Sequence, residues 1–145
     1  MFRRKGFTII ELLIVIAVIA ILVGIALPRF KGMQDEANIA RAKGDLRTIQ
    51  TGIQSYYIHN SAIPTSIQLT TAVPNIVGAA TPKDPFVAGG ATEYPIVSNG
   101  SYFVVYSVGP AAGAAPSITT AGAVTADGKV IYATNGTADS AHPSL

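Results

Sequence analysis

The hydrophobic and polar positions divide the chain into three parts, of which the first long one is almost wholly apolar. Phe7 to Leu27 is a run of 21 residues in which only Thr8 and Glu11 are polar. A helix of that length rises about 31 Å, close to the thickness of the hydrocarbon core of a membrane. The pattern therefore predicts one membrane-crossing helix over residues 7–27.

Residues 28–58 change from uniformly apolar to amphipathic. Apolar side chains recur there at steps of three and four, which is typical of a helix with one face packed against a domain; they are Phe30, Met33, Ala37, Ala40, Ala42, Leu46, Ile49, Ile53 and Tyr56.

Gly24 is a weak helix former and Pro28 has no amide hydrogen to donate to the carbonyl of Gly24. The pair predicts a break in the helix, the alternative being a proline that only marks the membrane boundary.

Residues 59–145 contain eight of the nine prolines, and glycine separates short apolar runs. The frequent prolines and glycines exclude long helices and favour short strands. The clearest strand is 101–108, where two sets of side chains alternate, and 93–98 and 129–134 are its predicted antiparallel partners. Segment 111–126 is predicted to be a loop. One long helix packed on a small antiparallel sheet is an α+β fold.

The formal charge of +2 depends on the extreme N-terminus. Without Arg3, Arg4 and Lys5, seven basic side chains stand against eight acidic ones. Basic residues that flank a membrane span stay on the cytoplasmic side, so residues 1–6 are predicted to be cytoplasmic. Charges are sparse after Asn60 and form no basic face, so we expect no direct nucleic-acid site.

Residues suited to catalysis are few. The chain has no cysteine, which excludes disulfides and thiolate metal sites. Its two histidines, His59 and His142, lie near a helix end and in a Pro/Ser-containing tail, where surface or capping roles are expected. We therefore predict that the protein is not an enzyme and has no resident cofactor.

Residues 5–14 form the most specific motif, Lys-Gly-Phe-Thr-Ile-Ile-Glu-Leu-Leu-Ile. The motif resembles the prepilin processing site of type IV pilins, type II secretion pseudopilins and related competence filaments. The resemblance implies that a membrane peptidase removes the leader 1–6 by cutting after Gly6. It also implies that the same enzyme methylates the new amine of Phe7, and that the glutamate of the family falls on Glu11.

A carboxylate at Glu11 needs a partner, because a charged side chain inside a spanning segment costs roughly 2.5 to 3.5 kcal/mol or more. Cleavage after Gly6 would create an α-ammonium on Phe7. Four residues separate the two groups, so they can pair within one chain or between staggered copies. At 4 Å the attraction is about 4 kcal/mol at an effective dielectric of 20, before desolvation. Such a pair would set the axial register of a filament.

The resemblance also implies an architecture and a set of partners. The expected fold is the pilin "lollipop", a long helix whose second half is held by a small sheet. The expected partners are further copies of this chain, the prepilin peptidase and methyltransferase, an inner-membrane assembly platform with its ATPase, and minor pilins or pseudopilins. The chain would cross the bacterial inner membrane once, with its N-terminus cytoplasmic, and then enter a periplasmic or cell-surface filament.

The rest of the chain bears on the branch of the family. Segments 60–69, 83–86 and 102–110 look like the G-type major pseudopilin of type II secretion, and the lack of cysteine removes the disulfide loop of many major pilins. A subunit of a secretion pseudopilus is therefore the main hypothesis. A major pilin for adhesion, motility or DNA uptake is the first alternative, and a membrane-anchored binding domain is the second.

The G-type resemblance raises the question of calcium. Ala111 and Ala112 stand where the acidic end of the calcium loop of that family should begin. Calcium needs several oxygen ligands, including carboxylates. Asp127 and Asp139 are the weak candidates left, and their spacing does not decide the question.

Overall fold

The computed structural model describes residues 6–65, 81–87 and 92–138. One helix, α1, runs over Ile9–Asn60. By its internal contacts the chain divides into two compact units, Met1–Glu36 and Ala37–Leu145, so that α1 contributes to both. The predicted layout of one long N-terminal helix with a small antiparallel sheet is confirmed.

The sheet of the second unit has three antiparallel strands in the order β1-β2-β5, with β1 at Ile96–Asn99, β2 at Tyr102–Ser107 and β5 at Ile131–Thr134. Strand β2 lies in the centre. Its register places Val105 opposite Ile96 on one side and opposite Ala133 on the other. Each of the three strands lies within or largely overlaps a predicted one, because alternation on a half-buried sheet is visible in sequence.

One face of the sheet packs on the second half of α1. The helix buries Ala42, Leu46, Ile49 and Ile53, all at most 1% exposed, against a set of side chains from the β-rich part; these are Tyr94, Phe103, Val105 and Ala133. The predicted apolar stripe is confirmed over this stretch. Burial of such aliphatic side chains contributes about 1.5 to 3 kcal/mol each.

The opposite face of the sheet is also covered, and here the prediction of a loop over 111–126 was wrong in part. Strands β3, Ser117–Ile118, and β4, Val124–Thr125, form an antiparallel pair inside that segment. Ile118 and Val124 pack on a second buried cluster, with Val104, Tyr106, Ala126 and Tyr132. Two-residue strands are too short to show alternation, so no sequence pattern could indicate them.

A buried carboxylate ties the segment before β1 to the end of β2. Asp84 is fully buried. Its side chain accepts hydrogen bonds from the hydroxyl of Ser107 at 2.8 Å, the amide of Phe86 at 3.0 Å and the amide of Val108 at 3.1 Å. Three donors compensate the desolvation of the carboxylate, as buried charges require.

A second polar contact links α1 to the β-rich part. The hydroxyl of Tyr94, 2% exposed, donates a hydrogen bond to Asp45 at 3.0 Å, and Arg41 forms an ion pair with the same carboxylate at 3.7 Å. Burial, followed by the neighbouring charge of Asp45, raises the pKa of Tyr94. The phenol therefore remains a donor throughout the neutral range, and the contact fixes the helix against the segment that carries Tyr94.

The first unit contains the apolar part of α1. The helix continues through Gly24 and Pro28 in this structure, and the predicted capacity of this pair to kink, unwind or stretch the helix stays a prediction. Phe30 and Met33 belong to this unit and are about two-thirds exposed, at 65% and 67%. The part of the amphipathic stripe that lies before Ala37 is thus free of intramolecular packing.

Replacement of Asp84 by asparagine tests the buried carboxylate. The new side chain would keep the shape but would present an NH₂ group to one of the amide donors, so we expect a loss of about 1 to 3 kcal/mol of stability. The full chain in detergent, followed by near-ultraviolet circular dichroism during heating, measures the loss. Lys83→Gln, at an exposed neighbouring position, serves as the control and should change stability by less than about 0.5 kcal/mol. Equal melting temperatures for Asp84→Asn and the unaltered chain would contradict this role.

Candidate functional site at the start of the apolar helix

The residues of the proposed processing site lie just ahead of α1. Gly6 and Phe7 precede the helix, which begins at Ile9, and both are exposed. A Cβ added at Gly6 would meet no atom of the described residues within 4 Å. Packing within the described residues therefore does not require glycine at this position.

Glu11 is held by the residue three positions before it. The amide of Thr8 donates to Oε2 of Glu11 at 2.9 Å, and the hydroxyl of Thr8 donates to the same oxygen at 2.7 Å. The amide of Glu11 lies 3.3 Å from the Thr8 hydroxyl oxygen, which accepts its hydrogen bond. This reciprocal arrangement is a capping box, in which two unpaired donors at a helix start are satisfied at once.

The capping box was missed in the sequence, although its signal was there. A Thr followed three residues later by Glu, directly before an apolar run, is the sequence pattern of this cap. Glu11 was instead interpreted as a charge whose partner is the α-ammonium that cleavage would create on Phe7. In the structure Thr8 supplies a neutral partner within the same chain.

The cap leaves acceptor capacity on Glu11. Both hydrogen bonds that it accepts end on Oε2, and Oε1 has no hydrogen-bond donor among the described residues. A carboxylate offers about four lone-pair positions. The group can therefore keep its cap and still accept a cation from outside the described structure.

The apolar surface that follows Glu11 is uncovered. Phe7 is 81% exposed, and the large apolar side chains from Ile9 to Leu27 are between 47% and 87% exposed. By length and composition, α1 contains a stretch able to cross a membrane, none of it buried within the protein. The apolar stretch of α1 is therefore not covered by the described residues of this chain, which fits membrane anchoring.

The calcium candidates can be judged by their surroundings. Asp127 accepts the amide of Ala114 on one oxygen at 3.0 Å and the amide of Lys129 on the other at 3.1 Å. These hydrogen bonds, that of Ala114 first, hold the pKa of Asp127 below its usual value. In the part of the chain that the structure describes, no three His, Cys, Asp or Glu side chains come together, and Asp139 lies outside it.

Two other side chains of the second unit have local partners. His59 contacts the carbonyl of Ser55 at 2.8 Å, which fits a cap at the helix end. Asn135, in an Asn-Gly-Thr sequence, uses both ends of its amide: Oδ1 accepts from the Phe103 amide at 2.8 Å, and Nδ2 donates to the Ser101 carbonyl at 2.9 Å. Its amide serves to join β2 to the end of β5. His142 lies outside the described residues.

A shallow pocket of about 310 Å³ lies beside the end of α1 in the second unit. It is lined by Gln54, Tyr57, Ile58, Phe103 and Asn135. The lining is mainly apolar, and it offers no pair of titratable groups for acid–base chemistry. The second unit thus carries a small surface depression of its own.

Known proteins share the sequence features described above. Residues 1–27 match the prokaryotic N-terminal methylation motif. The chain is 31% identical to type II secretion system core protein G of Pseudomonas aeruginosa over 95 residues, which is 65% of this chain and 67% of that protein. No solved structure matches the chain at a comparable level.

Pilus proteins are similar over shorter stretches. The type IV narrow pilus major component PilA5 of Thermus thermophilus is 42% identical over 46% of this chain and 58% of its own length. The fimbrial protein EcpB of Eikenella corrodens is 45% identical over 45% of this chain and 40% of its own length. The motif, the long helix with its small sheet and these relatives agree, and the chain therefore belongs to the type IV pilin-like family of pilins and G-type pseudopilins.

Proposed function

We propose that this chain is the structural subunit of a filament of the type II secretion or type IV pilus kind, and that it polymerises through its N-terminal helix. The observation that carries the proposal is the uncovered apolar surface of Ile9–Leu27 with a single acid, Glu11, at its head. Such a surface is stable in a membrane or among copies of itself, because both remove it from water. The apolar part of α1 can therefore serve as a packing element that makes one charged contact through Glu11.

Processing completes the proposed site. Removal of the leader after Gly6 would place an α-ammonium on Phe7, four positions before Glu11. An α-amine has an ordinary pKa near 8, so it is largely protonated at neutral pH. Methylation leaves it a basic amine. Thr8 then holds the carboxylate of the single subunit in lipid, and the ammonium of a neighbouring copy binds its unused oxygen on assembly.

The secretion branch is the main hypothesis, because matches to core protein G reach 74% of the chain, whereas those to PilA5 and EcpB cover 46% and 45%. A major pilin is the alternative, since other fimbrial proteins match over 62% of the chain. An anchored binding domain that uses the pocket near Tyr57 is the second alternative. Filament formation distinguishes this alternative from the other two, because an anchored binding domain does not need to form filaments.

The proposed partners follow from this route. They are the inner membrane before assembly, the prepilin peptidase and methyltransferase that act at Gly6 and Phe7, an assembly platform with its ATPase, and minor pilins or pseudopilins. The chain itself would act as a building block and not as an enzyme. The names of its relatives are those of pilus and secretion-system components.

Mass spectrometry of sheared filaments tests the processing step. We expect a mature chain that begins with methylated Phe7 and lacks residues 1–6. Gly6→Leu should keep the leader and stay in the membrane fraction, because a bulky side chain would obstruct the peptidase while the apolar helix is unchanged. Gly32→Ala, at an exposed glycine of the same helix, is the control and should be processed normally. An intact leader in working filaments would refute the proposed pairing.

Substitutions at Glu11 separate its charge from its role in the helix cap. Glu11→Gln keeps the volume and the ability to cap, since Gln serves in the same box, but it loses the charge. We expect Glu11→Gln and Glu11→Ala to insert in the membrane and yet lower the filament fraction at least tenfold, which corresponds to about 1.4 kcal/mol. Thr8→Val keeps the charge and should lower it far less. Normal filaments from Glu11→Gln would show that capping alone suffices.

We further propose that the subunit needs no resident calcium ion and that Asp127 holds the loop near Ala114 by hydrogen bonds alone. The folded pKa of Asp127 is lowered, so the carboxylate stabilises the fold above its ordinary pKa near 3.9. This contribution is lost as the pH falls through the lower, folded value. Millimolar calcium or a chelator should shift the melting temperature of the full chain by less than about 1 °C. Asp127→Asn should weaken the acid-induced loss of stability, and a rise of several degrees with calcium would contradict the proposal.

A further inference from the structure

Two Asn-Gly sequences of the second unit have nearly the same neighbours but are held in different ways. Residues 98–101 read Ser-Asn-Gly-Ser, and residues 134–137 read Thr-Asn-Gly-Thr. In an Asn-Gly sequence the amide nitrogen of the glycine can attack the side-chain carbonyl carbon of the asparagine, because glycine has no Cβ to obstruct the approach. Since the flanking residues are alike, the folded structure decides which of the two asparagines can react.

Asn135 and the glycine after it are both held firmly. Both ends of the Asn135 side-chain amide are hydrogen-bonded, Oδ1 at 2.8 Å and Nδ2 at 2.9 Å. The amide of Gly136, which would have to attack, donates to the hydroxyl of Thr134 at 2.9 Å. A Cβ added at Gly136 would lie 2.1 Å from the carbonyl oxygen of Gly122, so the backbone at Gly136 lies directly against another segment. These contacts restrict the rotation that would bring the amide to the side chain.

Asn99 lies in a more open place, at the turn between β1 and β2. Gly100 is exposed, and a Cβ added there would meet no atom of the described residues within 4 Å. The side chain of Asn99 makes one hydrogen bond, from Nδ2 to the carbonyl of Ile118 at 3.1 Å. Among the described residues, its Oδ1 has no donor and the amide of Gly100 has no acceptor. The attacking nitrogen and the carbonyl oxygen at this site are therefore both without hydrogen bonds.

We propose that Asn99 is a site of spontaneous covalent modification and that Asn135 is protected from the same reaction by the fold. The sequence alone does not separate the two positions, whereas their hydrogen bonds and the space around the following glycine do. The proposal concerns the folded second unit, and it does not depend on whether the chain forms filaments.

The reaction exchanges the side-chain amide of Asn99 for a carboxylate. The backbone nitrogen of Gly100 loses its proton and forms a bond to Cγ of Asn99, which closes a succinimide ring. The bond from Cγ to Nδ2 breaks, and the leaving nitrogen takes up a proton and departs as ammonia. Water then opens the ring at either of its carbonyl groups, which leaves aspartate or isoaspartate at position 99. Overall, water is consumed and ammonia is released, and nothing is oxidised or reduced.

The product would weaken the contact between the β1–β2 turn and β3. The carbonyl of Ile118 loses its donor and faces a carboxylate instead, which disfavours the contact. Isoaspartate also lengthens the backbone between residues 99 and 100, directly beside the pairing of Asn99 with Tyr102. The register of a hairpin depends on the length of its turn. Modification at Asn99 would therefore loosen the β3–β4 pair, which covers one face of the sheet.

Mass spectrometry of the full chain in detergent tests the site. The chain is incubated at mildly alkaline pH, which favours the deprotonated nitrogen, and peptides that contain residues 99 and 135 are compared after digestion. In the folded chain, conversion at Asn99 should be about tenfold faster than at Asn135 or more, because Asn135 must wait for local opening. In concentrated urea the two rates should agree to within about threefold, since the hydrogen bonds of both sites are lost.

Two outcomes would overturn the proposal. One is equal conversion of Asn99 and Asn135 in the folded chain, and the other is an Asn99 that stays intact there while both positions react in urea. Asn99→Gln is the matched control, because its side chain keeps an amide but would have to close a larger ring. The signal at position 99 should then disappear, and conversion at Asn135 should be unchanged.

The structural consequence has a test of its own. Asn99→Asp reproduces one product of the reaction, and we expect it to lower the melting temperature of the full chain by a few degrees. Ser98→Asp adds the same charge at an exposed neighbouring position, away from the contact with Ile118, and should lower the melting temperature less. Equal melting temperatures for these two variants would contradict a loss of the contact between Asn99 and β3.

Discussion

The structure depends on how one carboxylate is accommodated at the head of an apolar helix. Desolvation of Glu11 is costly, and Thr8 reduces the cost by donating two hydrogen bonds to one of its oxygens. The second oxygen stays available. The residue can thus be stable in a lone subunit and still favour a state in which a cation reaches it. If donors within the chain occupied both oxygens of Glu11, the carboxylate would gain little from a cation. If Thr8 did not cap it, the carboxylate would disfavour insertion in the membrane.

The two units differ in how far their own residues cover their apolar side chains. In the second unit both faces of the sheet are covered, one by α1 and the other by the β3–β4 pair, and the acid Asp84 is satisfied internally. The first unit has no comparable core among its described residues, and its apolar side chains from Ile9 to Leu27 are exposed. Folding therefore buries a core in the second unit, while the apolar side chains of the first unit stay exposed in the single chain.

Sequence patterns predicted the long elements and missed the short-range polar contacts. The stripe from Ala42 to Ile53 and the strand at 101–108 have clear periods of 3.6 and 2, and both are in place. The β3–β4 pair has too few residues to show a period. The burial of Asp84 was not predictable, because nothing local separates it from a surface acid. The cap at Thr8 was predictable from its spacing and was overlooked.

Apolar packing and charge contribute differently to an ordered assembly. Leu, Ile and Val side chains along α1 favour contact between helices, but a helix that slides past its neighbour by one turn exchanges one aliphatic contact for another at little cost. A charged side chain has a fixed position along the helix axis. Axial displacement of the neighbouring helix therefore leaves the charge unpaired in a poorly solvated place. In the proposed filament, the acid at Glu11 would therefore fix the axial position of a neighbouring helix to within the reach of its side chain, while the many apolar residues of α1 would supply the affinity.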